Sequence, residues 1–361
     1  MANVREAALV TGGCGFVGRH LIKQLLRERR SIWVIDNLST GRHPDTWVPR
    51  GFEKKSADGN ILTYGKADGQ RMTFILEDAV KVFADELGLS GRKPELSLPD
   101  FGDIFHLASI VGGRMVIEGD PMAVALDLAI DALFLRWAVV NSGRIGRILY
   151  ASSSAAYPIL LQGDQNHMKL KEEYIAFDGK LGQPDMTYGW SKLTGEYLST
   201  LAASRYGLHV ACVRPFSGYG EDQDLSYPVP AIALRVAKRE NPLTVWGTGK
   251  QGRDFVHIDD CIEAMLLILE RVSDGRGVNI GSGVLTTFIE LATLMAEIEG
   301  YQPVIKPLVD KPEGVKSRYC DPLLLNTGIG WRPSISLREG MSRVLAAAHQ
   351  RASGQAGNVQ A

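Results

Sequence analysis

Tyr188 and Lys192 stand four residues apart in the stretch Tyr188-Gly189-Trp190-Ser191-Lys192, a spacing that puts a phenol and an ammonium on one face of a helix. A phenol with an unperturbed pKa near ~10 is a poor base at neutral pH, but an adjacent cation favours its ionised form. An oxidised nicotinamide acts in the same direction. The pair is therefore suited to taking a proton from a hydroxyl while the carbon that carries it is oxidised by a bound dinucleotide.

A second pattern provides for that dinucleotide. The apolar run Ala7 to Val10 leads into Thr11-Gly12-Gly13-Cys14-Gly15-Phe16-Val17-Gly18, and an apolar-periodic run follows to Leu26. That order reads as strand, tight turn, helix. Gly12 takes the backbone angles of the turn, Gly15 lets the backbone approach a pyrophosphate, and Gly18 lets the helix pack on its strand. Free amides at the helix start face the phosphates. A second apolar run, Ser31 to Ile35, ends in Asp36, at the distance expected of an acid that binds the adenosine ribose. Because a carboxylate there repels a 2'-phosphate, NAD is expected rather than NADP.

The elements that must hold these groups follow in sheet order. After a long loop region, 42–72, with room for a short hairpin, Thr73 to Leu76 reads as a strand and 79–89 as an amphipathic helix. Asp103 to Ser109 is a buried strand, in which His106 is expected to be a packed core residue. Asp120 and Pro121 open a helix running from Met122 to Val140, apolar around most of its circumference and interrupted mainly by Asp127, Asp131 and Arg136. A helix so apolar has to be covered on more than one side. Arg147 to Ala151 is the next strand, and it delivers Ser152 to Pro158 at its carboxyl end, where ligands bind in a doubly wound sheet. Val210 to Arg214 is another buried strand. Further on, Ala231 to Arg239 is expected as a helix, Cys261 to Arg271 as one capped by Asp259 and Asp260, and Val278 to Gly283 as a strand and glycine turn. A helix over 286–299 and a final helix to about Ala348 complete the pattern, with 350–361 as a frayed tail.

The fold expected is α/β, a Rossmann-type doubly wound parallel sheet with a smaller C-terminal α/β substrate lobe. Residues 1–216, with 254–282 returning to them, make up the NAD-binding domain. Residues 217–253 and 283–348 are expected to make up the substrate lobe, which the resemblance described below implies binds a nucleotide sugar, and 349–361 a flexible tail. A net charge of -1 over 361 residues carries no footprint for nucleic acid or an anionic membrane. The four cysteines, Cys14, Cys212, Cys261 and Cys320, lack metal-ligand spacing and read as buried free thiols. The histidines form no HxxxH-type pair, so no metal is expected. The first strand begins almost at once, without an apolar signal segment, and a cytoplasmic location is expected.

Thr-Gly-Gly-x-Gly-Phe-x-Gly at 11–18, together with Asp36-Asn37-Leu38-Ser39-Thr40-Gly41, resembles the extended short-chain dehydrogenase/reductase family, in particular its nucleotide-sugar epimerases and dehydratases. The resemblance runs over about 7–348. It implies that Gly12, Gly15, Phe16, Val17 and Gly18 hold the cofactor with Asp36, Asn37, Ser39, Thr40 and Gly41. It adds Asp78 and Ala79 near the adenine, Leu107 and Ala108 beside the nicotinamide ribose, and Tyr188 and Lys192, the lysine bonding that ribose. Counting back from Tyr157, Ser153 falls where the family has its catalytic Ser or Thr, with Ser152 and Ser154 as runners-up. Ser153, Tyr188 and Lys192 are thus the implied catalytic set. Members commonly dimerise through the helix over 122–140 and the one carrying Tyr188, so a homodimer is expected.

On the substrate side, Arg214-Pro215-Phe216-Ser217-Gly218-Tyr219-Gly220 resembles the family's Arg-x-x-Asn-x-Tyr-Gly, with Ser217 where an Asn contacts sugar or phosphate. Arg253, in Arg253-Asp254-Phe255-Val256-His257-Ile258-Asp259, matches the arginine that clamps the pyrophosphate, and Arg318 a second phosphate-binding arginine. The dehydratases carry Asp and Glu where Ser154 and Ala155 stand, and the uronate decarboxylases carry Glu at the latter. Gly112-Gly113 and Pro312-Glu313-Gly314-Val315 resemble the 3,5-epimerases of GDP-mannose, which instead place a cysteine at the Ala155 position and a lysine near Pro228. The function implied is an NAD-dependent 4-epimerase of a nucleotide sugar, a UDP-sugar by preference, working by transient oxidation at C4. The alternatives are a nucleotide-sugar oxidoreductase or 4-keto reductase, a GDP-sugar 3,5-epimerase-like enzyme, a decarboxylase or dehydratase and, in a different class, a non-catalytic NAD-sensing protein.

Overall fold

Short apolar runs separated by glycine turns and amphipathic helices build the main sheet. In the computed structural model, which describes residues 7–91, 97–112, 114–163 and 168–354, the chain opens with β1 (Ala7–Thr11), α1 (Phe16–Arg27) and β2 (Ser31–Asp36). It continues through β3 (Glu53–Asp58), β4 (Ile61–Gly65), β5 (Arg71–Leu76), α2 (Ala79–Glu86) and β6 (Phe101–His106). Next come α3 (Arg114–Gly119), α4 (Pro121–Val124), α5 (Asp127–Val140), β7 (Ile145–Ala151), α6 (Met186–Tyr206) and β8 (His209–Pro215). The nine-stranded sheet also takes β13 (Asp274–Ile280) and has the order β13-β8-β7-β6-β1-β2-β5-β4-β3. All pairings from β13 to β5 are parallel, and β4 and β3 extend the sheet antiparallel. Strand order therefore reverses between β1 and β6, where a crevice opens at the carboxyl ends of the strands.

Between β8 and β13 lie β9 (Ser217–Tyr219), α7 (Pro228–Ala237), β10 (Leu243–Trp246), β11 (Gly252–Arg253), β12 (Phe255–His257) and α8 (Ile258–Arg271). After β13 follow β14 (Thr286–Thr287), α9 (Phe288–Ile298), β15 (Ile305–Leu308), β16 (Ser317–Arg318) and α10 (Leu337–Ala352). One face of the main sheet is covered by α1, α8 and the segment carrying Leu325, Ile329 and Trp331, the other by α2, α5 and part of α6. A separate core joins α7, α9 and α10 with β10 and β15. Both faces of the parallel strands are buried, which is why they read as continuous apolar runs rather than alternating ones.

Several expectations are refined. The loop region 42–72 holds β3 and β4, a hairpin in register with β5. The apolar helix after Asp120 is two pieces, α4 and α5, with Asp120 capping the first. The helix expected from Ala231 begins at Pro228, because proline at the first helical turn loses no hydrogen bond. Asp259 and Asp260 do not cap α8. His257 does so, its ring accepting from the Asp259 N–H, while the Asp260 carboxylate accepts from the Ser334 N–H and hydroxyl and the Ile335 N–H. The last helix continues to Ala352. Gly113 and 355–361 of the expected tail lie outside the described residues. All four cysteines are buried and free. No helix among the described residues is long and apolar enough to cross a membrane.

Candidate active site

The glycine turn after β1 is built for a group larger than any side chain. Gly12 has a φ of +68°, and a Cβ there would lie 2.7 Å from the Ala108 nitrogen, so β1 and the end of β6 approach by backbone alone. A Cβ on Gly18 would meet Gly12 and Gly13, whereas one on Gly15 would meet only the Gly12 carbonyl, at 3.2 Å. Gly15 also opens α1 with no side-chain cap. The result is a helix N-terminus over open space, suited to a pyrophosphate.

Beside it, the Asp36 carboxylate accepts from the Cys14 N–H at 2.9 Å and the Leu38 N–H at 2.8 Å. Burial raises its pKa while those two donors oppose the rise. Asn37 donates to Asp78, whose other oxygen caps α2 through the Val80 N–H, so the residues implied for ribose and adenine are joined. Ser39 donates its N–H to Asn37, and Gly41 packs against Cys14 and Asp36. Thr40 is exposed beside them, and Ala79 begins α2. Leu107 and Ala108 donate their N–H groups to the Thr11 hydroxyl. Phe16 and Val17, in the first turn of α1, pack against the core. These residues fit an NAD molecule laid from β2 across the turn to the end of β6.

The reacting end is held by α6. Asp185 precedes this helix, its N–H donating to the Ala155 carbonyl at 3.0 Å and its carboxylate accepting from Arg318 at 2.8 Å. A Cβ on Gly189 would sit 2.5 Å from that same Ala155 carbonyl, so the start of α6 rests directly on the loop after β7. This contact sets Tyr188 near Ser153, which pulls the phenol's pKa down and whose hydroxyl accepts from the Ala155 N–H at 3.1 Å. The runner-up Ser152 instead donates to Glu196, and Ser154 is buried in the loop. Lys192 is 3% exposed, with its Nζ 5.7 Å from the centre of the Tyr188 ring and 5.5 Å from that of Tyr150.

The electrostatics correct one expectation. The Tyr188 phenol is not held ionised by its neighbours in the protein alone. Burial pushes its pKa up, Lys192 and Ser153 pull it down, and Asp127 and Asp131 add to the rise. Burial also pulls the Lys192 ammonium toward neutrality, but Asp131, Tyr188 and Asp127 outweigh it and hold the lysine above its ordinary value. His106 is the core residue expected, 1% exposed and stacked on Phe134 with ring centres 3.9 Å apart.

On the substrate side, Ser217 lies on β9 and Arg253 on β11, brought near one another where the Ser217 N–H donates to the Asp254 carbonyl at 2.9 Å. Arg253 donates to the Gly252 and Val315 carbonyls and lies over the Phe288 ring. Arg318, paired with it in register across β16, is bound to Asp185 and Gln162. Sequence reasoning missed Asp185, and it missed Tyr227, which precedes α7 and whose phenol is pushed up by burial first and by Tyr188 next. It noticed Asp127 and Asp131 only as interruptions of an apolar helix.

The profile of the NAD dependent epimerase/dehydratase family matches residues 8–83 and 97–281. An uncharacterised UDP-glucose epimerase of Bacillus subtilis, YtcB, is 28% identical over 341 residues, covering 94% of this chain and 96% of its own. The GDP-mannose 3,5-epimerase of Arabidopsis thaliana is 29% identical over 243 residues, covering 66% of this chain and 62% of its own. Among solved structures, the UDP-glucose 4-epimerase of Thermotoga maritima with UDP-glucose superimposes with a TM-score of 0.73 at 25% identity, over 96% of this chain and 99% of that one.

Proposed function

From the premise that the chain belongs to the NAD dependent epimerase/dehydratase family, we propose that it is a nucleotide-sugar 4-epimerase acting on a UDP-sugar. The observation that carries this reading is the loop after β7. There Ser153 favours the ionised form of Tyr188, while Ser154 and Ala155, both buried, stand where the resembled dehydratases carry carboxylates. Bound NAD supplies reversible oxidation at carbon. The remaining steps belong to the chain. Tyr188 takes the C4 hydroxyl proton and returns it, Ser153 bridges phenol and hydroxyl, and Lys192 holds the compensating charge. A keto sugar that turns over before it is reduced again emerges with the opposite configuration.

We assign the diphosphate to Arg253, which donates to the Gly252 and Val315 carbonyls, rather than to Arg318, whose charge is met by the Asp185 carboxylate. UDP is favoured by the likeness to UDP-glucose epimerases over nearly the whole chain.

The purified protein, given UDP-glucose without added cofactor, is expected to form UDP-galactose until the two sugars equilibrate, as followed by proton NMR, with no net change in NADH absorbance. Stoichiometric NADH would make it an oxidoreductase. Failure to convert any UDP-, GDP- or CDP-sugar while holding NAD would make it a binding protein.

The homodimer is proposed on a second observation. Leu128 on α5, with Trp190 and Tyr197 on α6, is exposed to 40%, 45% and 44% respectively, on two helices that pack together. Light scattering is expected to give twice the mass of the chain, and Leu128→Arg with Trp190→Arg is expected to give the monomer. A monomeric parent would remove this part of the proposal.

A further inference from the structure

We propose that Asp222 is a clasp on the bound dinucleotide, a positioning residue that fixes the glycine turn through Arg19 and Arg42 and so slows the exit of NAD. The inference rests on the cofactor of the family and on no particular sugar or reaction.

Cys14, between Gly13 and Gly15 of the turn, is pinned from both sides. Its N–H donates to Asp36 at 2.9 Å, and its carbonyl accepts from Arg19 Nη1 at 2.9 Å and from the Arg42 N–H at 3.0 Å. Both arginines reach onward to one distant residue. Arg19 Nη2 meets the Asp222 carboxylate at 2.9 Å, and Arg42 donates to the Asp222 carbonyl at 3.1 Å. Arg19 is 3% exposed, and the ion pair it makes among the described residues is this one. A guanidinium so deep depends on its carboxylate.

Asp222 belongs to the loop that leaves β9, the strand that carries Ser217. A Cβ on Gly220 would lie 3.1 Å from the Phe16 ring and 2.7 Å from Ile258, so this loop rests on the first turn of α1, the helix end suited to a pyrophosphate. Arg351 from α10 secures the same loop, donating to the Glu221 and Gln223 carbonyls at 3.0 Å each. Any movement of Cys14 that opens the glycine turn therefore pulls on Asp222 through Arg19.

His20 is a second grip on the same carboxylate. Its Nε2 lies 2.8 Å from the other Asp222 oxygen, and its Nδ1 lies 3.8 Å from Asp259 in the first turn of α8. A carboxylate on each ring nitrogen suits the imidazolium, the one form with a hydrogen on both. Burial pulls the ring toward neutrality, but Asp222 and Asp259 outweigh it and hold its pKa above the ordinary value, with Lys23 opposing them from the same helix. Arg42, Arg351, Glu221 and Glu263 also line the groove beside it between α1 and α8, and His257 and Arg343 meet Asp259. Because the pKa is raised with the clasp closed, His20 contributes fully below about pH 6.5, its ordinary value, and its contribution is lost as pH climbs through the raised one.

The test is the exchange of bound NAD for an excess of radiolabelled NAD, followed by rapid filtration with no sugar present. Asp222→Asn is expected to exchange at least about tenfold faster at about pH 6, since breaking a buried charge pair acts mainly on the rate of leaving. Exchange from the parent should quicken between about pH 6 and about pH 9, whereas His20→Gln should show the parent's faster rate throughout. A folded Asp222→Asn protein that exchanges at the parent's rate overturns the inference, even if its urea midpoint falls, because the residue is then structural alone. If that variant does not fold, a pH slope that survives in His20→Gln, or a parent with no slope, overturns it. A chain that turns over no nucleotide sugar yet loses NAD faster on Asp222→Asn keeps this inference and loses the 4-epimerase reading. One that equilibrates UDP-glucose with UDP-galactose while Asp222→Asn exchanges at the parent's rate does the reverse.

Discussion

Tyr188→Phe is expected to lower turnover of a UDP-hexose by between about a hundredfold and ten-thousandfold, the range for removing a positioned general base. The substitution deletes one oxygen and keeps the ring that Lys192 lies against, so the fold has no reason to change. The pH dependence gives the sharper check. Since burial lifts the phenol's pKa above its ordinary value, the parent rate should climb with pH as the phenol ionises, and that climb should vanish in the variant. A variant within about threefold of the parent would mean that another group carries the proton, and the Ser153, Tyr188 and Lys192 assignment would fall.

The second large effect concerns stability. Arg214 and Glu196, with side chains 3% and 1% exposed, form a forked pair at 2.8 and 2.6 Å, and Arg214 also donates to the Tyr157 hydroxyl at 2.9 Å and the Glu172 carbonyl at 3.2 Å. Glu196→Ala leaves a guanidinium with only neutral acceptors in the interior, a change that typically costs roughly 3–5 kcal/mol. Urea unfolding should show this as a lowered midpoint with little change in slope. Glu196→Leu combined with Arg214→Met should recover most of the loss, because apolar groups of similar volume need no partner. A single variant within about 1 kcal/mol of the parent would show that water reaches the arginine, contrary to its burial.

The two predictions differ in how far the sequence foretold them. Tyr188 and Lys192 were legible because a helical spacing of four fixes their common face whatever packs around them. The glycine turn and Asp36 were legible because their conformational demands are local. The Arg214 and Glu196 pair joins a strand to a helix, and no local spacing announces it. Asp127 and Asp131 share a helical spacing, but what they balance lies on α6. The hairpin of β3 and β4 was allowed for in the loop region, but its strands were not assigned, for another reason. In Glu53-Lys54-Lys55-Ser56-Ala57-Asp58 every residue is exposed, so no apolar alternation marks β3 as a strand. Arg318 was placed near the phosphates by likeness alone, whereas its ion pair with Asp185 depends on how β16 meets the start of α6.

That hairpin has a practical consequence. Its outer strand ends the sheet, and Lys54 and Lys55 are the kind of side chain that discourages another chain from adding to such an edge. At its tip, Gly59 has nothing within 4 Å of where a side chain would begin. The tip lies at the carboxyl end of β5, where the Asn60 carbonyl accepts from the Leu76 N–H at 2.7 Å, two residues before Asp78, so a reporter peptide spliced in at Gly59 would sense the end of the crevice implied for the adenine.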